Sequence, residues 1–239
     1  MDTPDLTVAL PAYQEGPNLA ELLPELRRVL TGLGIRYEIV VADTPTPMDD
    51  TPAVCAANEV RYVPRVGGTT YSHAVNTAIV ASRGRHVVFM DADGSHDPAF
   101  VARLWAERGN ADLVIASRYA PGGRTENPAV LIGMSLMVNV VFRAVLGLTC
   151  ADVSNSFRIY RGDDLRRLTL ECQNFDIVEE ILVKLCAYHP TYRVKEIPST
   201  FGKRRAGRTK RNLVTFAIGY VGTLRRLHRL KRDIERSAA

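Results

Sequence analysis

The sequence lacks the cysteine spacing of a metal ribbon or a disulfide framework. Its four cysteines, Cys55, Cys150, Cys172 and Cys186, show no CxxC pair. That pattern fits reduced, mostly buried thiols in a cytosolic protein. A secretory signal is also missing, because MDTPDLTVALPAY has no basic segment ahead of a long apolar run. The longest uncharged apolar stretch, residues 129–142, is broken by Ser135 and Asn139. It falls short of the roughly 20 residues that span a bilayer, so no transmembrane anchor is expected. The sequence contains no internal repeat and no low-complexity tract. Its basic residues form one loop and one helix end without interleaved aromatics, which argues against nucleic acid as a partner.

What is present is an ordinary globular composition. The 239 residues suffice for one α/β domain with a full core, and 46% hydrophobic against 24% charged residues excludes a disordered chain. A net charge of +5, much of it beyond residue 200, favours an anionic partner such as a nucleotide or a phospholipid surface. Apolar runs at 6–10, 37–41, 62–63, 86–90 and 113–117 read as strands. Helical patterns at 19–30, 54–60, 71–82 and 98–107 separate them. This alternation predicts an α/β fold with a doubly wound, mostly parallel sheet and helices on both faces. Ligands of such sheets bind beyond the carboxyl ends of the strands. After Tyr119 come a loop, PGGRTENP, an uncharged helix from Ala129, a mixed region over 155–197, and a basic loop, FGKRRAGRTKR. From Asn212 the apolar residues Leu213, Phe216, Ala217, Tyr220, Leu224 and Leu227 repeat at helical spacing, with Arg225, Arg226, Arg229, Lys231 and Arg232 clustered behind them.

Three segments carry chemistry. HVVFMDADGSHDP (86–98) ends a strand and delivers Asp91, Ala92 and Asp93 into a loop with Ser95 and His96. Two carboxylates one residue apart can reach one point where the backbone turns sharply. Their oxygens suit a hard divalent cation that bridges a substrate's phosphates and neutralises a departing diphosphate. The plainer alternative is an acidic loop before a helix, and Asp97 reads as the cap of that helix. LPAYQEGPN (10–18) and VVADTPTPMDDT (40–51) follow the first two strands. They offer Tyr13 for stacking on a base, with Glu15 and Asp43 as hydrogen-bond acceptors. Read alone, the first of them is equally a loop with a helix start. The basic loop sets Lys203, Arg204, Arg205, Arg208, Lys210 and Arg211 among glycines. Such a loop can close over a diphosphate, or it can simply be solvated.

The ordered combination of these segments resembles the family 2 glycosyltransferases of GT-A fold, and within them the dolichol-phosphate (polyprenol-phosphate) mannose synthases. The matching pieces are LPAYQEGPNL, YEIVVAD, ASRGRHVVFMDADGSHDP, DLVIASRY, Asn139 and Arg143 before LGL, Asp152 before SFRIYR, FDIVEEILVK and EIPSTFGKRRAGRTK. The resemblance implies that Pro11, Tyr13, Glu15, Val41 and Asp43 hold the nucleoside of a nucleotide-sugar donor. Ala92 and Asp93 would lie near the diphosphate, with Asp91, Asp93 and Ser95 around Mg²⁺ or Mn²⁺. Arg204 and Lys210 would close on the donor, and Arg118 would sit where diphosphate and acceptor meet. Asp93 and Arg118 are then the expected catalytic pair. The helix over 129–142 would meet the acceptor and the membrane surface, and the arginine cluster of the C-terminal helix could touch the headgroups of an anionic membrane. The implied reaction moves a hexose, mannose from GDP-mannose, with inversion onto a polyprenyl phosphate at the cytosolic membrane face. Residues 1–211 would form the catalytic domain, with a nucleotide-binding half to about residue 120. A basic amphipathic helix over 212–239 would follow it.

Three departures qualify this expectation. Ala42–Asp43 stands where paired aspartates are usual, followed by ThrProThrPro. Ser95 replaces a stronger ligand, and Leu136 stands where an arginine is expected after Ser135. A phosphate acceptor would miss that charge unless Arg118, Arg143 or Arg158 supplied it. A second reading keeps the donor but takes a soluble, non-phosphorylated acceptor, with Asp176 or Glu179 as general base. A third is a non-catalytic nucleotide-binding module.

Overall fold

The computed structural model describes residues 3–204 and 213–238. Its elements are β1 (Leu6–Pro11), α1 (Gly16–Gly32), β2 (Tyr37–Asp43), α2 (Thr51–Ala57), β3 (Arg61–Pro64), α3 (Tyr71–Ala81), β4 (His86–Phe89), α4 (Phe100–Glu107), β5 (Leu113–Ser117), β6 (Arg124–Thr125), α5 (Ala129–Leu146), β7 (Arg158–Arg161), α6 (Gly162–Arg166), α7 (Ile177–Tyr188), β8 (Val194–Pro198), β9 (Thr200–Phe201) and α8 (Leu213–Ala238). Seven strands form one sheet in the order β3-β2-β1-β4-β7-β5-β8, and β6 pairs with β9 apart from it.

Helices cover both faces, as expected. Along β1, Leu6, Val8 and Leu10 face a core built with the leucines of α1 and with Phe100, Val101 and Leu104 of α4. Ala9 turns the other way, toward α3, α5, α7 and Leu227 of α8. A sheet buried on both sides needs strands apolar on both sides, which is why these runs are nearly continuous. Thr7 is the polar exception, and it is satisfied: its hydroxyl donates to Glu38 Oε1 at 2.7 Å and accepts from the Gly84 N–H at 2.8 Å.

The pairs of β1 with β2 and β4, β2 with β3, and β5 with β8 are parallel, while β7 runs antiparallel between β4 and β5. Within the mixed region 155–197, β7 carries no clear strand pattern in the sequence. Phe157 and Ile159 face one core and Tyr160 the other, but a fully buried Arg158 interrupts the apolar signature of a strand. Chain from the second half thus completes the sheet begun by the first.

The uncharged helix is longer than its uncharged stretch. It passes through Arg143 to Leu146 and ends on Gly147 at φ 61°, the left-handed closing position that glycine fills without strain. Among the described residues, α5 is long and apolar enough by length and composition to cross a membrane, which corrects the bound drawn from the sequence. Only Asn139, Phe142 and Leu146 of it are buried, while Val130, Met137 and Val140 are 60–70% exposed. Lys231 of α8 donates to the Leu146 carbonyl at 2.7 Å and holds the end of α5 to the body.

Gly84 sits where two backbones nearly touch. A Cβ there would lie 2.4 Å from Thr7 N and 2.6 Å from the His86 carbonyl. Gly84→Ala is expected to lose about 1–3 kcal/mol, read as a lowered urea midpoint. Gly109→Ala, with open space around it, should stay within about 0.5 kcal/mol.

Candidate active site

Parallel pairing in register (Pro11 opposite Ala42, Ala9 opposite Phe89) ends β1, β2 and β4 at one edge. The segments after them therefore converge. Glu15, at the start of α1, is buried; its Oε2 accepts from Asn18 Nδ2 at 2.6 Å and its Oε1 from Arg204 Nη1 at 3.1 Å. Asp43, at the end of β2, is 1% exposed. Tyr62 OH donates to its Oδ2 at 3.3 Å, and Oδ1 has no partner among the described residues. Burial, aided by repulsion from Asp49, holds its carboxyl above the ordinary range.

Two residues that the sequence did not single out build this corner. Buried Arg65 donates from Nε to the Asp43 carbonyl at 3.0 Å, from Nη1 to the Thr69 and Thr70 carbonyls, and from Nη2 to the Ala12 carbonyl. It fastens the ends of β1 and β2 to the loop before α3. Asp49, in the unusual loop after β2, accepts the Gly16 N–H at 2.9 Å and the Thr51 N–H at 3.1 Å, and so caps the starts of α1 and α2 together. The acidic pair Asp49–Asp50 ahead of Thr51–Pro52 is the available signal for Asp49; an isolated arginine gives none for Arg65.

The two aspartates stand at the end of β4. Asp93 Oδ1 accepts from the Ser95 hydroxyl at 2.6 Å and the Ser95 N–H at 3.0 Å, and its Oδ2 lies 3.0 Å from Arg204 Nη2. Burial opposes its ionisation, but these hydrogen bonds and the Arg204 charge outweigh that and keep the carboxyl below the usual range. Asp91 Oδ1 accepts from Ser156 Oγ at 2.9 Å. His96 lies beneath, stacked on Phe157 at 4.6 Å, and its Nδ1 accepts the Asp91 N–H. Asp97 accepts the Ala99 N–H at 2.9 Å and caps the approach to α4. The carboxylates of Asp91 and Asp93 offer oxygen donors, which fits a hard divalent cation. Ser95 is 3% exposed and gives its hydroxyl to Asp93, so it supports that carboxylate rather than facing the ion. No group of three His, Cys, Asp or Glu side chains that could hold a metal occurs among the described residues. A bound diphosphate and water would have to complete the shell, as Mg²⁺ sites built on one or two carboxylates do.

Across the crevice, Arg118 follows β5. Its Nε and Nη2 grip the fully buried Asp152 carboxylate at 2.9 and 2.7 Å, and Nη2 also reaches Ser154 Oγ at 2.9 Å. A bidentate fork of this kind fixes the guanidinium plane, leaving Nη1 as the edge free of these bonds. The strap 199–204 crosses the site, with the Gly202 N–H donating to the Ser95 carbonyl at 2.9 Å.

Residues 7–169 match the sequence model described as Glycosyl transferase family 2. The chain belongs to glycosyltransferase family 2. It is 28% identical to the dolichol-phosphate mannosyltransferase of Pyrococcus furiosus over 97% of its own length and 66% of that protein. It is 30% identical to the polyprenol monophosphomannose synthase of Mycolicibacterium smegmatis over 85% of this chain and 79% of that one. An undecaprenyl-phosphate mannosyltransferase of Micrococcus luteus is 35% identical over 52% of each chain. The chain thus spans between half and four-fifths of the length of these relatives. Among solved structures, glucosyl-3-phosphoglycerate synthase of Mycobacterium tuberculosis, in complex with Mn²⁺, UDP-glucose and phosphoglyceric acid, superposes with a TM-score of 0.73 at 18% identity. That match covers 94% of this chain and 80% of that one. At that identity the likeness shows the GT-A fold.

Not every residue expected at the site of this family 2 chain reaches the crevice. The side chains of Val41 and Ala92 are buried in the α1–α4 core, so they can offer a ligand only backbone. Pro11 is buried and Tyr13 half-buried at the end of β1. Ser135 lies half-buried on α5, beside the exposed Leu136. Arg158 is fully buried and donates to the carbonyls of Asp152, Val153 and Val178, so it braces the loop below Arg118 and has no exposed surface for an acceptor. Asp176 and Glu179 face α8 instead: Thr223 and Arg226 donate to Asp176, and Tyr220 OH to Glu179. Lys210, with Arg205, Arg208 and Arg211, lies outside the described residues.

Glu179 is 1% exposed, and burial pushes its carboxyl up to about 7, beyond the pull of Arg158 and Tyr220 and with Asp176 adding repulsion. A carboxyl raised on folding holds its proton longer in the folded chain, so its contribution to stability is fully present below its unfolded pKa and lost as pH rises through about 7. Glu179→Gln should remove this part of the pH dependence. Urea titrations at pH 5 and pH 8 are expected to show the variant gaining on wild type by up to a few kcal/mol at the higher pH.

Proposed function

We propose that the chain transfers a hexose, mannose from GDP-mannose, to a polyprenyl phosphate at the cytosolic face of a membrane, with inversion and with Mg²⁺ or Mn²⁺. One observation carries this reading: Arg204 spans Glu15 on the nucleoside side and Asp93 on the metal side. The groups that would bind the base, the diphosphate and the cation thus share one crevice. Asp43 and Glu15 hold the nucleoside, Asp91 and Asp93 hold the cation, and Arg204 is placed to exchange its carboxylate partners for a diphosphate. The bound ion would supply charge that stabilises the leaving diphosphate. Arg118, fixed by Asp152, presents its remaining edge to the acceptor phosphate and the breaking bond. A phosphate acceptor is already ionised near neutral pH and leaves no proton for a base to take. That accords with Glu179 being sealed under Tyr220 rather than open to the crevice. The names of the mannosyltransferase relatives support the donor and the lipid acceptor.

The membrane part of the reading rests on two helices. The outer side of α5 exposes Val130, Leu136, Met137, Val140, Val141 and Val145, and α8 exposes Arg225, Arg229, Arg232 and Arg236. Apolar area entering the interface and about 1 kcal/mol per arginine near anionic headgroups would act together. Flotation with phosphatidylglycerol vesicles should recover the wild type, and Met137→Glu with Val140→Glu should reduce recovery several-fold. Equal flotation of the double variant would remove α5 from the interface.

Asp93→Ala should lower transfer by at least about 100-fold while the chain still folds cooperatively, since carboxylate-held metal stabilises the leaving group by several kcal/mol. With labelled GDP-mannose and polyprenyl phosphate, label should move into an acid-labile, organic-phase product. Label confined to the aqueous phase would reject the lipid acceptor in favour of a soluble one.

A further inference from the structure

The loop between α5 and β7 is held from four directions. Glu196 of β8 accepts the N–H groups of Ala151 at 2.6 Å and Asp152 at 2.9 Å. Asn139 of α5 accepts the Val153 N–H at 2.9 Å. Arg158 of β7 donates to the Asp152 and Val153 carbonyls, and the Asn155 amide donates to the Ala116 carbonyl of β5. Backbone tied at every residue from 151 to 153, and followed by a side-chain anchor to β5 at Asn155, has little freedom to shift. Its alternate side chains then serve as fixed pegs. Asp152 and Ser154 point to Arg118, and Ser156 points to Asp91.

The two aspartates differ in how they are held. Asp93 has Ser95 and Arg204 on its oxygens. Asp91 is the more open of the two, with its side chain 31% exposed against 13%. Among the described residues, only Ser156 reaches the Asp91 carboxylate within hydrogen-bond distance; His96 Nε2 lies 4.0 Å from Oδ2. A carboxylate on a loop rotates about two bonds, and one firm donor on one oxygen removes most of that freedom. The groups that orient a metal's ligands in this way commonly matter 10–100-fold in metal affinity.

We propose that Ser156 is a positioning residue for the metal site: its hydroxyl fixes the Asp91 carboxylate toward the cation, from the same braced loop that fixes Arg118. The inference rests on the reading that Asp91 and Asp93 hold a divalent cation. It adds a residue outside the aspartate loop and ties the two sides of the crevice to one rigid segment.

The test reads metal binding directly, without turnover. Mn²⁺ is titrated into the full chain with saturating GDP, and in parallel with UDP, and free Mn²⁺ is followed by electron paramagnetic resonance. Ser156→Ala should weaken Mn²⁺ binding about tenfold. Ser156→Thr keeps the hydroxyl and should restore most of that loss. Ser154→Ala serves Arg118 instead and should leave the Mn²⁺ affinity at the wild-type value. Wild-type affinity in Ser156→Ala, with binding lost in Asp91→Asn, would overturn this proposal alone. Equal losses in Ser154→Ala and Ser156→Ala would also overturn it, since a general loosening of the loop would then explain both. A wild type that binds no Mn²⁺ with either nucleotide would overturn the metal reading together with it.

Discussion

Parallel pairing of β2, β1 and β4 in register is the constraint on which the rest of this molecule depends. In a parallel sheet all carboxyl ends point the same way, so the segments leaving these strands must emerge side by side. Glu15, Asp43 and Asp93 are far apart in sequence, yet each lies at one such exit. The strap that carries Arg204 crosses this edge and joins two of them. Helices on both faces exclude water from the strands, so polar atoms at the exits sit at the boundary between a dry core and an open crevice.

That boundary is where several buried charges lie, and hydrogen bonds take up most of their polar atoms. Arg65 spends its guanidinium on four backbone carbonyls, Arg158 on three, and Asp152 is matched by the fork of Arg118. An unpaired charge in such a place would cost several kcal/mol. Paired in this way, these groups instead fix loops that have no regular secondary structure. Glu180 follows the same logic on α7. Despite burial, hydrogen bonds from Lys184, Cys172 and the Glu171 N–H bring its carboxyl down to about 2. The polar seam between α7 and α8 is therefore a structural device, and it draws Asp176 and Glu179 away from the crevice.

The side of the molecule that carries α5 is built differently. There α5 leaves most of its apolar surface uncovered and is held by its buried residues, by the Asn139 bond to Val153 and by Lys231 at its end. The proposed membrane contact rests on this exposed apolar surface. Its link through Asn139 runs into the loop that holds Arg118.

Periodicity alone predicted most strands and helices of the first 120 residues and the helices on both faces of a mostly parallel sheet, because apolar spacing directly reflects burial. The stretch of carboxylates after His86–Phe89 was equally legible, since strand ends in such sheets face ligands wherever they occur. What the sequence could not show was β7, because a buried arginine reads as a surface residue until its hydrogen-bond partners are known. Nor could it place Arg65, Asp49 or Ser156, each of which acts on a residue distant in the chain. It set Arg158, Asp176 and Glu179 beside the acceptor, and packing turned them inward. Composition determines which segments must be buried, but which polar groups then meet each other depends on contacts across tens of residues, and those exist only once the chain has folded.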